Sequence, residues 1–297
     1  MAKSDMEIKA FYDEATNTVS YVVSDDSTGK AVIIDSVLDF DYASGAISYS
    51  GADAILAYIH VHELVVDWHI ETHVHADHLS AAPYLQEMLG GKIGISKEIT
   101  KVQDTFGKIF NAGTRFERDG SQFDHLFDPD ELYAIGTLSA CAMPTPGHTP
   151  ACMTHIIEDA AFVGDTLFMP DGGTARADFP GGDAAELYKS IQKILSLPAE
   201  TRIFVCHDYA PNGRGYEWET NVAEERARNI HLTNEISEAE FVAMREARDK
   251  TLDMPKLIMP SIQVNMRAGH MPHSEDNGQV YLKVPVADPR QSKKEPM

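Results

Sequence analysis

The sequence predicts an α/β fold, on three observations. Short runs rich in Val and Ile alternate with amphipathic helical runs over the first two thirds of the chain. Polar clusters fall just after the strand-like runs, at 72–78, 165 and 207, where ligands of α/β folds commonly bind. The 297 residues, 43% of them hydrophobic, are ample for a full core and globular in composition.

The elements follow in order. Residues 18–24 (TVSYVVS) and 31–35 (AVIID) read as strands separated by a turn at Ser27-Thr28-Gly29. Residues 52–63 read as a helix, with Ile55, Leu56 and Ile59 at helical spacing. The strand LVVDWHIET, 64–72, runs into a histidine cluster, and the helix 79–89 ends at Gly90-Gly91. Consecutive strands are expected at 151–157 and 160–165, an amphipathic helix at 184–195, and a strand at 202–208 that again ends at a histidine. Beyond this the chain turns helical and charged, with EAEFVAMREARDK at 238–250. No internal repeat and no clear linker is evident. The expected organisation is one domain over 1–287 with a C-terminal helical extension, then a polar tail, 288–297, expected to fray.

Charge and composition exclude several classes. A formal net charge of −21 repels polyanions, so nucleic acid is not an expected partner. There is no apolar run of the roughly 18 residues that read as a membrane helix. The first 30 residues carry Asp5, Glu7, Asp13 and Glu14 and lack an apolar signal region, which predicts a cytoplasmic protein if the chain is bacterial. Cys141, Cys152 and Cys206 are scattered and form no CxxC pair, which predicts buried, reduced thiols in strands.

The tripeptide His-Val-His occurs twice, at 60–62 and 73–75. His60 and His62 fall in the helical pattern, where residues i and i+2 are about 200° apart and cannot grip one ion. His73 and His75 follow a strand, where i and i+2 point to one side. With Asp77 and His78 they make H-x-H-x-D-H, a set of ligand-type side chains that is costly to bury without a purpose. Three more candidates stand at strand ends or on a tight turn: His148 in TPGHTP, Asp165 in FVGDTLF and His207 in FVCHDY.

This ordered set resembles that of the metallo-β-lactamase superfamily, and the resemblance implies a four-layer αββα sandwich with a metal site at one edge of two sheets. The matching positions for a two-metal site are His73, His75, Asp77, His78, His148, Asp165 and His207. Outside the ligands, GGTARADFPGGD at 172–183, WETNVAEERARNIHL at 218–232 and MPKLIMPSIQVNMRAG at 254–269 resemble the persulfide dioxygenase (sulfur dioxygenase) branch, in a longer bacterial subgroup. The segment from Asp165 to Arg176 is longer than in animal members of that branch.

That resemblance implies one Fe(II) per chain, held by His73, His148 and Asp165. It also implies oxidation of glutathione persulfide with dioxygen and water to sulfite and glutathione, a sulfide-detoxifying reaction. His75, Asp77, His78 and His207 then surround the iron or form a vacant second metal site. Glutathione carries two carboxylates, so an acidic protein needs local cations. Arg176 is the first candidate as a carboxylate clamp, with Thr149 and Tyr209 as donors and Arg214 as a weaker choice. A homo-oligomer, dimer or tetramer, is expected. Two alternatives remain open: a glyoxalase II-like thioester hydrolase on two metals, and a non-enzymatic metal-binding module.

Overall fold

The computed structural model describes residues 5–232 and 236–287. The expected frayed tail, 288–297, lies outside the described residues.

The chain begins with β1 (Met6–Asp13), β2 (Thr18–Asp25) and β3 (Lys30–Ile34), joined as antiparallel neighbours. A small hairpin, β4 (Val37–Asp41) and β5 (Ala46–Ser48), leads into α1 (Ser50–Val61) and β6 (Val65–Ile70). Then come β7 (Leu79–Ser80), α2 (Ala82–Leu89), β8 (Lys92–Ser96), α3 (Ile99–Ile109) and β9 (His125–Phe127). The first sheet has the order β1-β2-β3-β6-β8-β9. Its β3–β6, β6–β8 and β8–β9 pairs are parallel. Parallel neighbours need a crossover, and α1, α2 and α3 provide them.

The second sheet runs in sequence order: β10 (Glu131–Ile135), β11 (Leu138–Pro144), β12 (Met153–Ile157), β13 (Ala160–Phe162), β14 (Arg202–Phe204) and β15 (Glu219–Asn221). Its parallel pair, β13–β14, is bridged by α4 (Ala184–Leu195), which Asp183 caps by accepting from the Ala185 and Glu186 amides. The chain closes with α5 (Val222–Arg228), α6 (Glu238–Asp249) and α7 (Ile258–Asn265).

Strand periodicity builds the layers. Val19, Tyr21 and Val23 of β2 face the core between the sheets, together with Phe162 and Phe204 of the second sheet. Val22 of β2 and Ile33 of β3 point the other way, onto Ile55 and Ile59 of α1. On the far side, Ile203 and Val205 meet Leu187 and Ile191 of α4 and Phe241 of α6. The result is the expected four-layer αββα sandwich. The two late helices part company: α6 packs in the cluster under the second sheet, and α7 packs against the first. Among the described residues, no helix is long and apolar enough to cross a membrane.

Several expected elements are shorter than their sequence patterns. The helix expected from residue 79 begins at Ala82, because Leu79 and Ser80 pair with Leu38 and Val37 as a strand and Pro83 sits in the first helical turn. The strands expected at 64–72 and 202–208 stop at Ile70 and Phe204. Beyond those points the chain leaves the sheets, and its polar side chains gather at one edge. All three cysteines are free. Cys152 and Cys206 are buried beyond strand ends, and Cys141 in β11 is half-buried.

Candidate metal centre

Four strand ends meet at one edge of the sandwich. After β6, residues 71–78 carry His73, His75 and His78 inward, all buried. After β11, the turn at Gly147 presents His148, and after β13 Gly164, at φ +51°, turns the chain to present Asp165. After β14 comes His207. The sheets are stitched together here by Val19 N donating to Cys206 O at 2.7 Å and Met153 N donating to Thr72 O at 2.9 Å.

Asp165 is the common element. Its Oδ2 lies 3.6 Å from His148 Nε2 and 3.9 Å from His73 Nε2. Its Oδ1 lies 3.3 Å from His207 Nε2, which is also 3.3 Å from Asp77 Oδ2. His73, His148 and Asp165 each offer a ligand atom, all within 4.8 Å of one another, and His75, Asp77 and His78 form a second such group. The candidate ligands from 73 to 207 therefore gather at one edge of the sheets, where Asp77, His148 and Asp165 line a pocket.

Each imidazole has one nitrogen already engaged. His148 Nδ1 donates to Arg176 O at 2.7 Å, His78 Nδ1 to Leu79 O at 3.1 Å, and His207 Nδ1 to Asn17 O at 3.2 Å. Thr72 Oγ1 donates to Asp35 at 2.8 Å and so accepts from His73 Nδ1 at 3.0 Å. These bonds select the tautomer that leaves the other nitrogen free as a ligand. His73 Nε2, His75 Nδ1, His78 Nε2, His207 Nε2 and Asp165 Oδ1 are buried without a hydrogen-bond partner. An unsatisfied buried polar atom costs about 1–3 kcal/mol. Five of them, set among groups of mutually close ligand atoms, fit a metal cofactor.

Burial and neighbouring imidazoles keep His73 well below its usual range and bring His78 down to about 4, so both stay neutral, the ligating form. His75 differs. Burial lowers it, but Asp35 and then Glu71 outweigh that and carry it up to about 9. Its Nε2 lies 2.9 Å from Asp35 Oδ1 and 3.5 Å from Glu71 Oε2.

Asp35, Glu71 and Asn265 were not candidates in the sequence. Asp35 ends the AVIID strand pattern, the same signal that marks Asp165 and His207. It binds the Thr72 amide and hydroxyl as well as His75. Asn265 of α7 donates to His75 O at 2.9 Å and His78 O at 2.8 Å, so a residue late in the chain clamps the ligand loop. Nothing local in the sequence marks it. The second copy of the tripeptide lies elsewhere: His60 is exposed in the last turn of α1, and His62 is exposed at its C-terminus.

A cavity of about 1180 Å³ opens over the centre, with His148, Asp77 and Asp165 on its floor and Phe40, Phe168, Phe179 and Leu252 among its walls. The substrate candidates divide. Arg176 and Tyr209 line the cavity. The Arg176 guanidinium already holds Asp178 through two bonds of 2.6 and 2.8 Å, donates to Asp253 O at 2.7 Å and lies over the Phe179 ring. Thr149 is turned to Cys152, at 3.1 Å, and does not line the cavity. Arg214 is spent on Asp171 and Asp208 and does not line it either. Three cations that sequence reasoning passed over, Arg245, Arg248 and Lys256, do line it, and Arg245 is held by Asp249.

Comparison with known proteins agrees with this geometry. Residues 14–207 match the family model described as the metallo-beta-lactamase superfamily. The chain is 55% identical over 291 residues to a probable metallo-hydrolase of Burkholderia pseudomallei, covering 95% of this chain and 99% of the relative. It is 46% identical to the protein named glyoxylase B2 of Dictyostelium discoideum, over 94% and 97% of the two chains. It is 30% identical to the mitochondrial persulfide dioxygenase ETHE1 of Homo sapiens, over 88% of each. Among solved structures, ETHE1 from Myxococcus xanthus superposes with a TM-score of 0.71 at 28% identity, over 89% of this chain and all of that one.

Proposed function

The chain belongs to the metallo-beta-lactamase superfamily, and on that premise we propose that it is a persulfide dioxygenase. It holds one Fe(II) through His73, His148 and Asp165 and oxidises glutathione persulfide with dioxygen and water to sulfite and glutathione. The observation that carries this reading is the group His73, His148 and Asp165. Two imidazoles and one carboxylate, with His148 and Asp165 open to a wide cavity, match the donor set of non-haem Fe(II) oxygenases. The 30% identity to a persulfide dioxygenase along most of both chains supports it.

Bound iron supplies the redox chemistry and the open positions for the reactants. The protein's own groups supply the rest. Thr72 and the Arg176 carbonyl hold the His73 and His148 rings so that Nε2 faces inward. The Asp35, Glu71 and His75 cluster braces the loop behind them. Phe40, Phe168 and Phe179 give the cavity apolar wall against which the substrate stem can pack. Arg176 acts as a fixed cationic wall, because Asp178 and Asp253 already hold it. Arg248 and Lys256 have no ion pair among the described residues and are assigned to the substrate carboxylates. Arg248→Ala is therefore expected to raise KM about tenfold with iron content unchanged, in keeping with the loss of one charged hydrogen bond. A wild-type KM would remove Arg248 from the site.

A second reading, a glyoxalase II-like hydrolase on two metals, draws on the second ligand group of His75, Asp77 and His78 and on relatives named metallo-hydrolase and glyoxylase. One experiment separates them. Protein purified anaerobically is assayed for metal, for oxygen uptake with glutathione persulfide and for hydrolysis of S-lactoylglutathione. The dioxygenase reading expects about one iron per chain and oxygen uptake. Two zinc ions per active chain, with hydrolysis and no oxygen uptake, would defeat it.

A further inference from the structure

We propose that a second pocket, formed by the segment after α3 and the chain after α7, binds a small anion carrying two or more negative charges. The pocket encloses about 450 Å³, the size of a small-molecule site, and shares no lining residue with the cavity over the metal centre. Arg115, Arg267, Lys283, His270 and His273 line it, and Glu275 is the one carboxylate among its lining residues. That is a concentrated positive field in a chain of net charge −21.

Arg267 carries the inference. Its guanidinium carbon lies over the Phe116 ring, 4.2 Å from the centroid, and Nη1 donates to the Gln263 carbonyl. Burial pushes it down to about 10, so it remains a cation at neutral pH. No carboxylate among the described residues pairs with it. Arg118, Arg176, Arg202, Arg214, Arg228 and Arg245 all have carboxylate partners. Lys283 likewise donates to a main-chain carbonyl, that of Asn111, at 2.7 Å. A part-buried guanidinium without a counter-charge is costly unless something pairs with it. Here two further cations stand around the same space, an arrangement that fits a multiply charged anion better than a single carboxylate.

The test uses the metal-loaded protein and inorganic pyrophosphate as the probe, titrated by calorimetry at low ionic strength. The wild type is expected to bind it with millimolar or tighter affinity that weakens as KCl rises. Acetate at the same ionic strength should compete no better than chloride. Arg267→Met keeps the apolar stem over Phe116 and should weaken binding roughly tenfold or more. Arg115→Ala, at an exposed position that places no demand on folding, should weaken it several-fold. Both variants should keep their metal. Equal pyrophosphate affinity in the wild type and both variants would assign the heat to the metal centre and overturn the proposal. So would absence of binding to the wild type, or competition by acetate as strong as that of pyrophosphate.

Discussion

His73→Ala is expected to strip the metal and abolish turnover, whereas His75→Ala keeps most of the metal and loses about 10–100-fold in rate. The two residues share a loop and differ in what they face. His73 Nε2 is an orphan that looks across 3.9 Å at Asp165 Oδ2, in the same group as His148. His75 is bound by its Nε2 to Asp35, with Glu71 beside it, and its free Nδ1 belongs to the group with Asp77 and His78 and not to that with Asp165. Removing His75 leaves the buried Asp35 carboxylate without its cation, so stability should fall too, by about 3–5 kcal/mol as for other broken buried pairs. That loss is read separately, by urea denaturation. His60→Ala, in the exposed copy of the tripeptide, should change neither metal nor rate. If elemental analysis finds equal metal loss in the His73 and His75 variants, the three-ligand assignment fails and the two-metal hydrolase takes its place.

Gly147→Ala should damage the centre without touching a ligand. Gly147 has φ +140°, and a Cβ there would lie 2.3 Å from both the backbone N and Cα of Leu187. Those atoms belong to the first turns of α4, whose capping residue Asp183 donates its amide to Gly147 O at 2.8 Å. A main chain locked into a helix cannot yield as a side-chain tip can. The turn must therefore swing away from α4 and take His148 with it. A cost of about 3 kcal/mol or more is expected, which lowers Tm by roughly 6–12 °C for a chain of this size. Metal content should fall in step. Wild-type Tm and metal loading in this variant would show that the turn is not pinned by α4.

The two predictions differ in where they were visible. His73, His148, Asp165 and His207 stood out in the sequence because each is a ligand-type residue just past a strand or on a Pro-Gly turn, and such signals are local. The helix over 184–195 was legible for the same reason, from its 3.6-residue periodicity and its Asp183 cap. The clash at Gly147 was not, because Leu187 is brought to it by packing. Nor was the late start of α2, which depends on Leu79 and Ser80 pairing with a strand about forty residues earlier.

Charges show the same division. Arg176 read as a free clamp from its place in the loop, but α6 and the chain after it bring Asp253 to the guanidinium, and Asp178 folds back onto it. Arg248 and Lys256 gained their place at the cavity only when the late helices packed onto different layers of the sandwich. By itself the sequence determined the fold class and named the ligand-type residues that the fold gathers at one edge. The tertiary structure alone decided which nitrogen of His75, His148 and His207 is left free. That depends on the group packed against the other nitrogen: Arg176 O for His148, Asn17 O for His207 and Asp35 for His75. Each of these lies tens to nearly two hundred residues away, beyond the reach of any local pattern.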